Sequence, residues 1–382
     1  MKVAVTTLAI CVAVLLTLGL VMLYSSGLYH SKIDQVSSRF LMKQLLWCVA
    51  GLVACVVAAA LDYRWLKRWV WPLLGVAVTL LALVLKTTKY SPTINGANRW
   101  FTLPGISFQP SELAKIALII ALAWYCERYQ RQMHTWKRGI LFPAFFIGLT
   151  AGLIFLEPDV GNALLITFVS GLMLLIAGIR LKYFLPPVVA VVLAVGVFIC
   201  FNQVRSERIK SWLNLEETKL DKGHQVYQAI LALGSGGWTG LGLGNSRQKL
   251  GWVPEYQTDF IFAIIGEELG LVATLGVVLG FVVIVICGIY IAAHARDAFG
   301  MMLAAGITFL IGSQAFINIG VVTNTLPNKG IALPFISYGG SSLLAMLGCI
   351  GLLFSVARQG RAPEIKSTNP FAAGELPTGR PT

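Results

Sequence analysis

Charge is scarce in this chain. Only 12% of its 382 residues are Asp, Glu, Lys or Arg, about half the ~25% of a soluble domain. Acidic residues are the scarcer sign, 17 against 30 Lys+Arg, for a net charge of +13. Hydrophobic residues make up 57% and the mean hydropathy is +0.75. A single water-soluble core cannot take in that much apolar surface, which excludes a cytosolic enzyme, a secreted disulfide scaffold and a disordered tail. The apolar stretches lack the two-residue alternation of a transmembrane barrel. No CxxC occurs among the seven cysteines, which lie in or beside apolar runs and read as small buried hydrophobes. His30, His134, His224 and His294 are scattered, with no metal-ligand spacing. No GxxxxGK[ST] is present, so nucleotide binding has no support.

What is present is a series of long apolar runs. A spanning helix needs about 20 such residues, and ten candidates lie near 3–24, 42–61, 69–86, 112–126, 140–156, 160–179, 183–202, 259–291, 299–322 and 337–357. The fold expected is all-α, a polytopic membrane protein with about ten transmembrane helices over residues 1–358. The first run has no convincing cleavage site and reads as an uncleaved span. Lys and Arg concentrate in alternate loops, at Arg64, Lys67 and Arg68, at Arg128, Arg131, Lys137 and Arg138, at Arg180 and Lys182, and at Arg296 and Arg358. The positive-inside rule then places both termini in the cytoplasm and accounts for the basic charge without any nucleic acid. A large extracytoplasmic loop, 203–258, separates spans seven and eight. It carries a mixed-charge stretch from Arg205 to Lys222 and a Gly-rich segment from Gly234 to Gly244. Structureless loops of that length are usually functional. Residues 359–382 read as a disordered cytoplasmic tail.

Polar residues gather at the outer ends of these spans. Gln109-Pro110-Ser111-Glu112 opens the fourth span, with Pro110 suited to the first helical position and Lys115 on the same face as Glu112. An ionisable pair at the lip of a span is costly, which makes it a functional candidate. Glu157-Pro158-Asp159 forms a short turn in which Asp159 can cap span six. Thr258 or Asp259 begins span eight, where a carboxylate is either a helix cap or a general base. Glu267 and Glu268 follow within the same span. Adjacent residues point to different faces of a helix, and two buried carboxylates need partners, which makes them functional candidates. Asn328-Lys329 leads into Ser337-Tyr338-Gly339-Gly340-Ser341-Ser342, read either as close helix packing or as an anion site.

Five blocks, NGANRWF, QPSELAK, EPDVGNALL, GLGNSRQKLGWVPEYQTDFIFAIIGEELG and NKGIALPFISYGGSSL, occur in order. In them the chain resembles the SEDS family (shape, elongation, division and sporulation), the FtsW/RodA/SpoVE peptidoglycan glycosyltransferases, and it is most similar to the FtsW division branch. Gln257, Asn162, Asn98 and Asn324 depart from the family's usual residues. The resemblance implies polymerisation of lipid II, an undecaprenyl diphosphate-linked substrate, at the outer face of the bacterial cytoplasmic membrane, at the division septum. It implies Asp259 as the essential acidic residue, Glu112 as a site acid and Lys329 as a functionally sensitive lysine. Arg99, Gln109, Lys115, Asp159 and Ser337 match motif positions of unassigned role. A divalent cation, Mg or Mn, would serve the diphosphate, although no metal ligand is identified. The expected partners are a class B penicillin-binding transpeptidase and other divisome proteins. Two rival readings stand beside this one. The first is a lipid II flippase, for which intramembrane Glu267 and Glu268 would carry the coupling ion; the second is a non-catalytic divisome scaffold.

Overall fold

The computed structural model describes residues 1–30, 36–86, 91–92, 98–103, 106–221, 223–248 and 257–360. The tail expected at 359–382 falls almost wholly outside them. The long helices are α1 (Lys2–His30), α2 (Val36–Ala60), α3 (Leu66–Val84), α4 (Pro110–Arg128), α5 (Phe142–Leu156), α6 (Val160–Ile176), α7 (Leu181–Phe201), α11 (Ile261–Ala293), α12 (Ala298–Val322) and α13 (Gly340–Gln359). Between α7 and α11 lie three shorter helices, α8 (Gln203–Leu213), α9 (Leu215–Thr218) and α10 (His224–Ser235). Eight of the long helices are long and apolar enough to cross a membrane outright. The other two are α6, which is apolar but short, and α4, which carries Glu112, Lys115, Glu127 and Arg128. The ten expected spans are therefore all present as helices. Strands are confined, among the described residues, to one hairpin, β1 (Phe101–Leu103) and β2 (Ile106–Phe108), paired antiparallel with Phe101 opposite Phe108.

The helices pack around α12. It touches α4, α6, α11 and α13, and most of its residues are buried. α4 is buried along most of its length, α2 pairs with α13, and α1 lies against α11. α7 is the exception. None of its residues is buried, although it is as apolar as its neighbours. A helix apolar on every side and unburied by protein is one solvated by lipid.

The bundle has two chemically distinct ends. At one end stand the start of α3, the end of α4 and the start of α12. There the Tyr63 hydroxyl donates to Asp297, and Lys67 bridges Glu127 at 2.7 Å and Asp297 at 3.1 Å. At the other end stand the starts of α4, α6, α11 and α13, with α8–α10 beside them. All eight candidate site residues are at this second end.

The eighth span, long in the sequence, is interrupted in the structure. α11 is broken at Gly270, whose φ of 75° and ψ of −172° lie outside the helical region. Leu241 N–H donates to the Glu267 carbonyl at 2.9 Å and Gly242 N–H to the Glu268 carbonyl at 3.0 Å. Leu271 N–H and Val272 N–H in turn donate to the carbonyls of Gly237 and Trp238. The Gly-rich segment is thus hydrogen-bonded into the break and replaces the helical bonds lost there. Only glycine allows that approach. A Cβ on Gly236 would lie 1.9 Å from the Gly266 carbonyl oxygen, and one on Gly240, at φ +81°, 2.2 Å from that of Glu268.

Gly240→Ala should therefore lower stability by about 1–3 kcal/mol through strain and lost docking. Gly75→Ala in α3, where a Cβ meets nothing within 4 Å, should be neutral or stabilising by up to about 1 kcal/mol. Thermal unfolding of the detergent-purified protein would compare the two.

Candidate functional site

The hairpin explains why two separated sequence blocks act together. Its register places Arg99, just before β1, and Gln109, just after β2, at the same end. Gln109 precedes α4, with Pro110 as its first residue. One turn in, Glu112 and Lys115 form an ion pair at 2.9 Å, with Lys115 fully buried. The Lys115 ammonium also donates to Asn162 Oδ1 at 3.1 Å. The Asn162 amide donates from Nδ2 to Asp159 Oδ2 at 2.8 Å. Asp159 caps α6 as expected, accepting from Asn162 N–H at 3.2 Å, and takes Gln109 Nε2 at 3.5 Å. Glu112, Lys115, Asn162, Asp159 and Gln109 thus form one buried polar chain joining α4 to α6. Breaking such a pair from one side leaves an uncompensated charge and costs about 3–5 kcal/mol.

A second group fixes Asp259. This residue is not the cap of α11; the cap position belongs to Phe260, with no side-chain bond. Its backbone is held instead. Asn318 Nδ2, from α12, donates to the Asp259 carbonyl at 2.8 Å and to the Ile331 carbonyl at 2.7 Å. The Ser337 hydroxyl donates to the Thr258 carbonyl and accepts Leu333 N–H at 2.8 Å, and Tyr338 N–H donates to the Gln257 carbonyl at 2.9 Å. Phe335 in this segment adopts φ +66°, a conformation costing a non-glycine residue about 1–2 kcal/mol. The half-buried Asp259 carboxylate rests against Gly330, where a Cβ would stand 2.4 Å from Oδ2.

Lys329, the neighbour of Gly330, connects the two groups. Its Cδ would be 3.6 Å from a Cβ on Gly161, next to Asp159 and Asn162. Burial and the nearby Arg205 and Arg208 lower its pKa to about 8, against a smaller opposing pull from Asp159. Arg99 donates from Nε to the Glu157 carbonyl at 3.1 Å and from Nη2 to the Pro158 carbonyl at 2.8 Å. The Glu157 carboxyl beneath is 0% exposed and, among the described residues, has no hydrogen-bond partner for either oxygen. Burial, then Asp159, push its pKa up to about 8 against Arg99, so at neutral pH it is mainly protonated.

The structure thus brings all eight candidates to one end of the bundle, with Asp259, Lys329 and Ser337 on one side and Arg99 above the buried chain of Asp159, Gln109, Lys115 and Glu112 on the other. Sequence reasoning passed over Asn318, Arg205 and Arg208 and gave no role to Asn162. A lone Asn inside an apolar span was the available signal for Asn318; Arg205 and Arg208 were hidden in a mixed-charge stretch. Glu267 and Glu268 find the partners that buried carboxylates need, and both hold the same segment. Glu267 accepts from the Ser246 hydroxyl, Arg247 N–H (2.9 Å) and Gln248 N–H (3.4 Å). Glu268 accepts from the Ser25 hydroxyl, Gly244 N–H (3.1 Å) and Ser246 N–H (3.4 Å). Their carboxylates are thereby engaged, and the observation behind a flippase is taken up structurally. The start of α13 is closely packed: Gly339 N–H donates to Gln44 Oε1 at 3.3 Å, and Trp47 covers Gly340.

No three His, Cys, Asp or Glu side chains gather as a metal-ligand set among the described residues.

A polytopic helical bundle with a polar rim at one end defines an integral membrane protein that handles a polar substrate at the membrane surface. The chain belongs to the FtsW/RodA/SpoVE family of cell cycle proteins, whose profile matches residues 6–362. It is 38% identical over 351 residues to the probable peptidoglycan glycosyltransferase FtsW of Trichlorobacter lovleyi, covering 92% of each chain. It is 39% identical over 358 residues to stage V sporulation protein E of Bacillus subtilis, covering 93% of this chain and 97% of that one. It superposes on a chain of a solved peptidoglycan synthase complex, one that coordinates polymerization and crosslinking, with TM-score 0.77 and 28% identity. That match covers 93% of this chain and 98% of the other.

The buried Glu157 carboxyl carries a testable pH signature. Its folded-state pKa of about 8 exceeds the ordinary 4.5, so the folded state holds a proton that the unfolded state releases between those values. The contribution is complete below pH 4.5 and is lost as pH rises to about 8. Thermal unfolding midpoints of the wild type should fall across that window, and Glu157→Gln should flatten the decline.

Proposed function

We propose that this protein is a peptidoglycan glycosyltransferase that polymerises lipid II at the outer face of the bacterial cytoplasmic membrane during cell division. The observation that carries the reading is the half-buried Asp259 carboxylate, whose segment is held by Ser337 and Asn318 through backbone carbonyls and which rests against Gly330, next in sequence to Lys329. Asp259 takes the proton of the acceptor GlcNAc 4-hydroxyl as general base, a role worth about 10²–10⁴-fold. The acceptor oxygen forms the new bond to the donor sugar while the bond to the undecaprenyl diphosphate breaks. Moving from an α-linked donor to a β-linked polymer inverts the anomeric carbon, which one base and one displacement accomplish. Lys329 and Arg99 offset the charge developing on the diphosphate. The buried chain from Glu112 to Gln109 keeps Asp159 and the start of α6 fixed beneath them.

The site end is then extracytoplasmic and the Lys67–Asp297 end cytoplasmic, with both termini inside, in keeping with the distribution of Lys and Arg. A transpeptidase that crosslinks the strands is the fitting partner, as in the complex that coordinates polymerization and crosslinking.

Asp259→Asn, purified and incubated with lipid II, should yield no polymer on a gel that resolves wild-type product; wild-type-level polymer would remove Asp259 as base. Because Lys329 loses its charge near pH 8, wild-type kcat/KM should fall on the alkaline side of that value. Lys329→Arg, charged throughout, should move the fall to higher pH.

A further inference from the structure

Arg205 and Arg208 stand three residues apart in the first turns of α8 and share one face. Arg205 Nη2 donates to the Pro158 carbonyl at 3.2 Å, the same oxygen that accepts Arg99 Nη2. Two guanidinium groups therefore meet on one acceptor. Arg208 is exposed, and neither its side chain nor that of Lys329 has a hydrogen bond or ion pair among the described residues. Both arginines lie close enough for their charge to bear on Lys329. Asp159 is the acidic charge that bears on both Arg205 and Lys329, and it already accepts from Gln109 and Asn162; the Glu157 carboxyl is buried with no hydrogen-bond partner among the described residues.

A purely structural role for Arg205, tying α8 to the 157–159 turn, uses a single carbonyl. It leaves Arg208 and Lys329 unexplained. Four converging cations repel one another, and a multiply charged anion relieves that cost. The surroundings say what kind of anion. Arg205 lies over the Phe198 ring of α7 at 5.8 Å, and Phe198 packs on Phe155 of α5 at 4.8 Å. The cations thus stand where the lipid-facing surface of α7 ends, suiting an anionic group attached to a hydrocarbon chain.

We propose that Arg205 and Arg208 complete, with Arg99 and Lys329, a receiving site for the diphosphate of a lipid-linked substrate. Arg205 supplies a planar fork to the phosphate oxygens, and Arg208 neutralises charge. The assignment rests on the glycosyltransferase reading above.

The test is direct binding of undecaprenyl diphosphate to the full-length protein in nanodiscs of zwitterionic lipid, with undecaprenyl monophosphate and inorganic pyrophosphate as comparisons. Arg205→Gln and Arg208→Gln should each weaken diphosphate-lipid binding about tenfold and monophosphate binding less. Arg205→Lys should fall between, since it keeps charge but loses the fork. Arg208 is exposed, so its variant reports even where Arg205→Gln unfolds. Pyrophosphate should compete with the lipid in the wild type. Unchanged affinity in Arg208→Gln and Arg205→Lys, or no competition by pyrophosphate, overturns the proposal. So does intact diphosphate binding with lost capture of a transpeptidase, which would assign the arginines to a protein contact. Variants that bind like a wild type active on lipid II sink this inference alone; a wild type that binds the diphosphate lipid without polymerising lipid II sinks the catalytic reading alone.

Discussion

A lysine ammonium with no access to water is the constraint on which the site end of this bundle is built. Lys115 is fully buried in α4, where an unpaired charge is untenable. It is satisfied by Glu112 on its own helix and by the Asn162 carbonyl oxygen of α6. Asn162 has a second end, and its amide holds Asp159. Asparagine offers a separate donor and acceptor, so one side chain can serve a cation and an anion together. The start of α6, the turn before it and the arginines on that turn all take their places from this chain of bonds.

The second constraint is the need of every backbone group in an apolar medium for a partner. α11 gives up its helical bonds at Gly270, and the Gly-rich segment gives up water by docking there. Each supplies the other, through carbonyls on both sides and through the carboxylates of Glu267 and Glu268. Acidic residues inside an apolar run invite a transport interpretation. Here they are the acceptors that let a loop lie against a broken helix.

The ten helices and their order were legible in the sequence because solvation by lipid writes itself as uninterrupted apolar runs. The candidate residues were legible because charge in such a chain is rare enough to stand out. The break at Gly270 was not, since a run of apolar residues looks the same whether its helix is continuous or hydrogen-bonded to a distant glycine segment. Asn318 was likewise hidden: its role is to hold two carbonyls from loops on either side of α12, a relation between segments rather than a property of either. Asn324 is a partial case: its φ of +57° lies in the left-handed region, which Asn tolerates better than most residues.

The absence of any buried side chain on α7 has an evolutionary consequence. A helix that meets hydrocarbon over most of its surface is selected more for partition into the bilayer than for shape. Interchange among Leu, Ile, Val, Phe and Ala along its length leaves that partition nearly unchanged, so its lineage should drift freely in identity while keeping its oiliness. The neighbouring α12, wedged among four helices, has no such latitude.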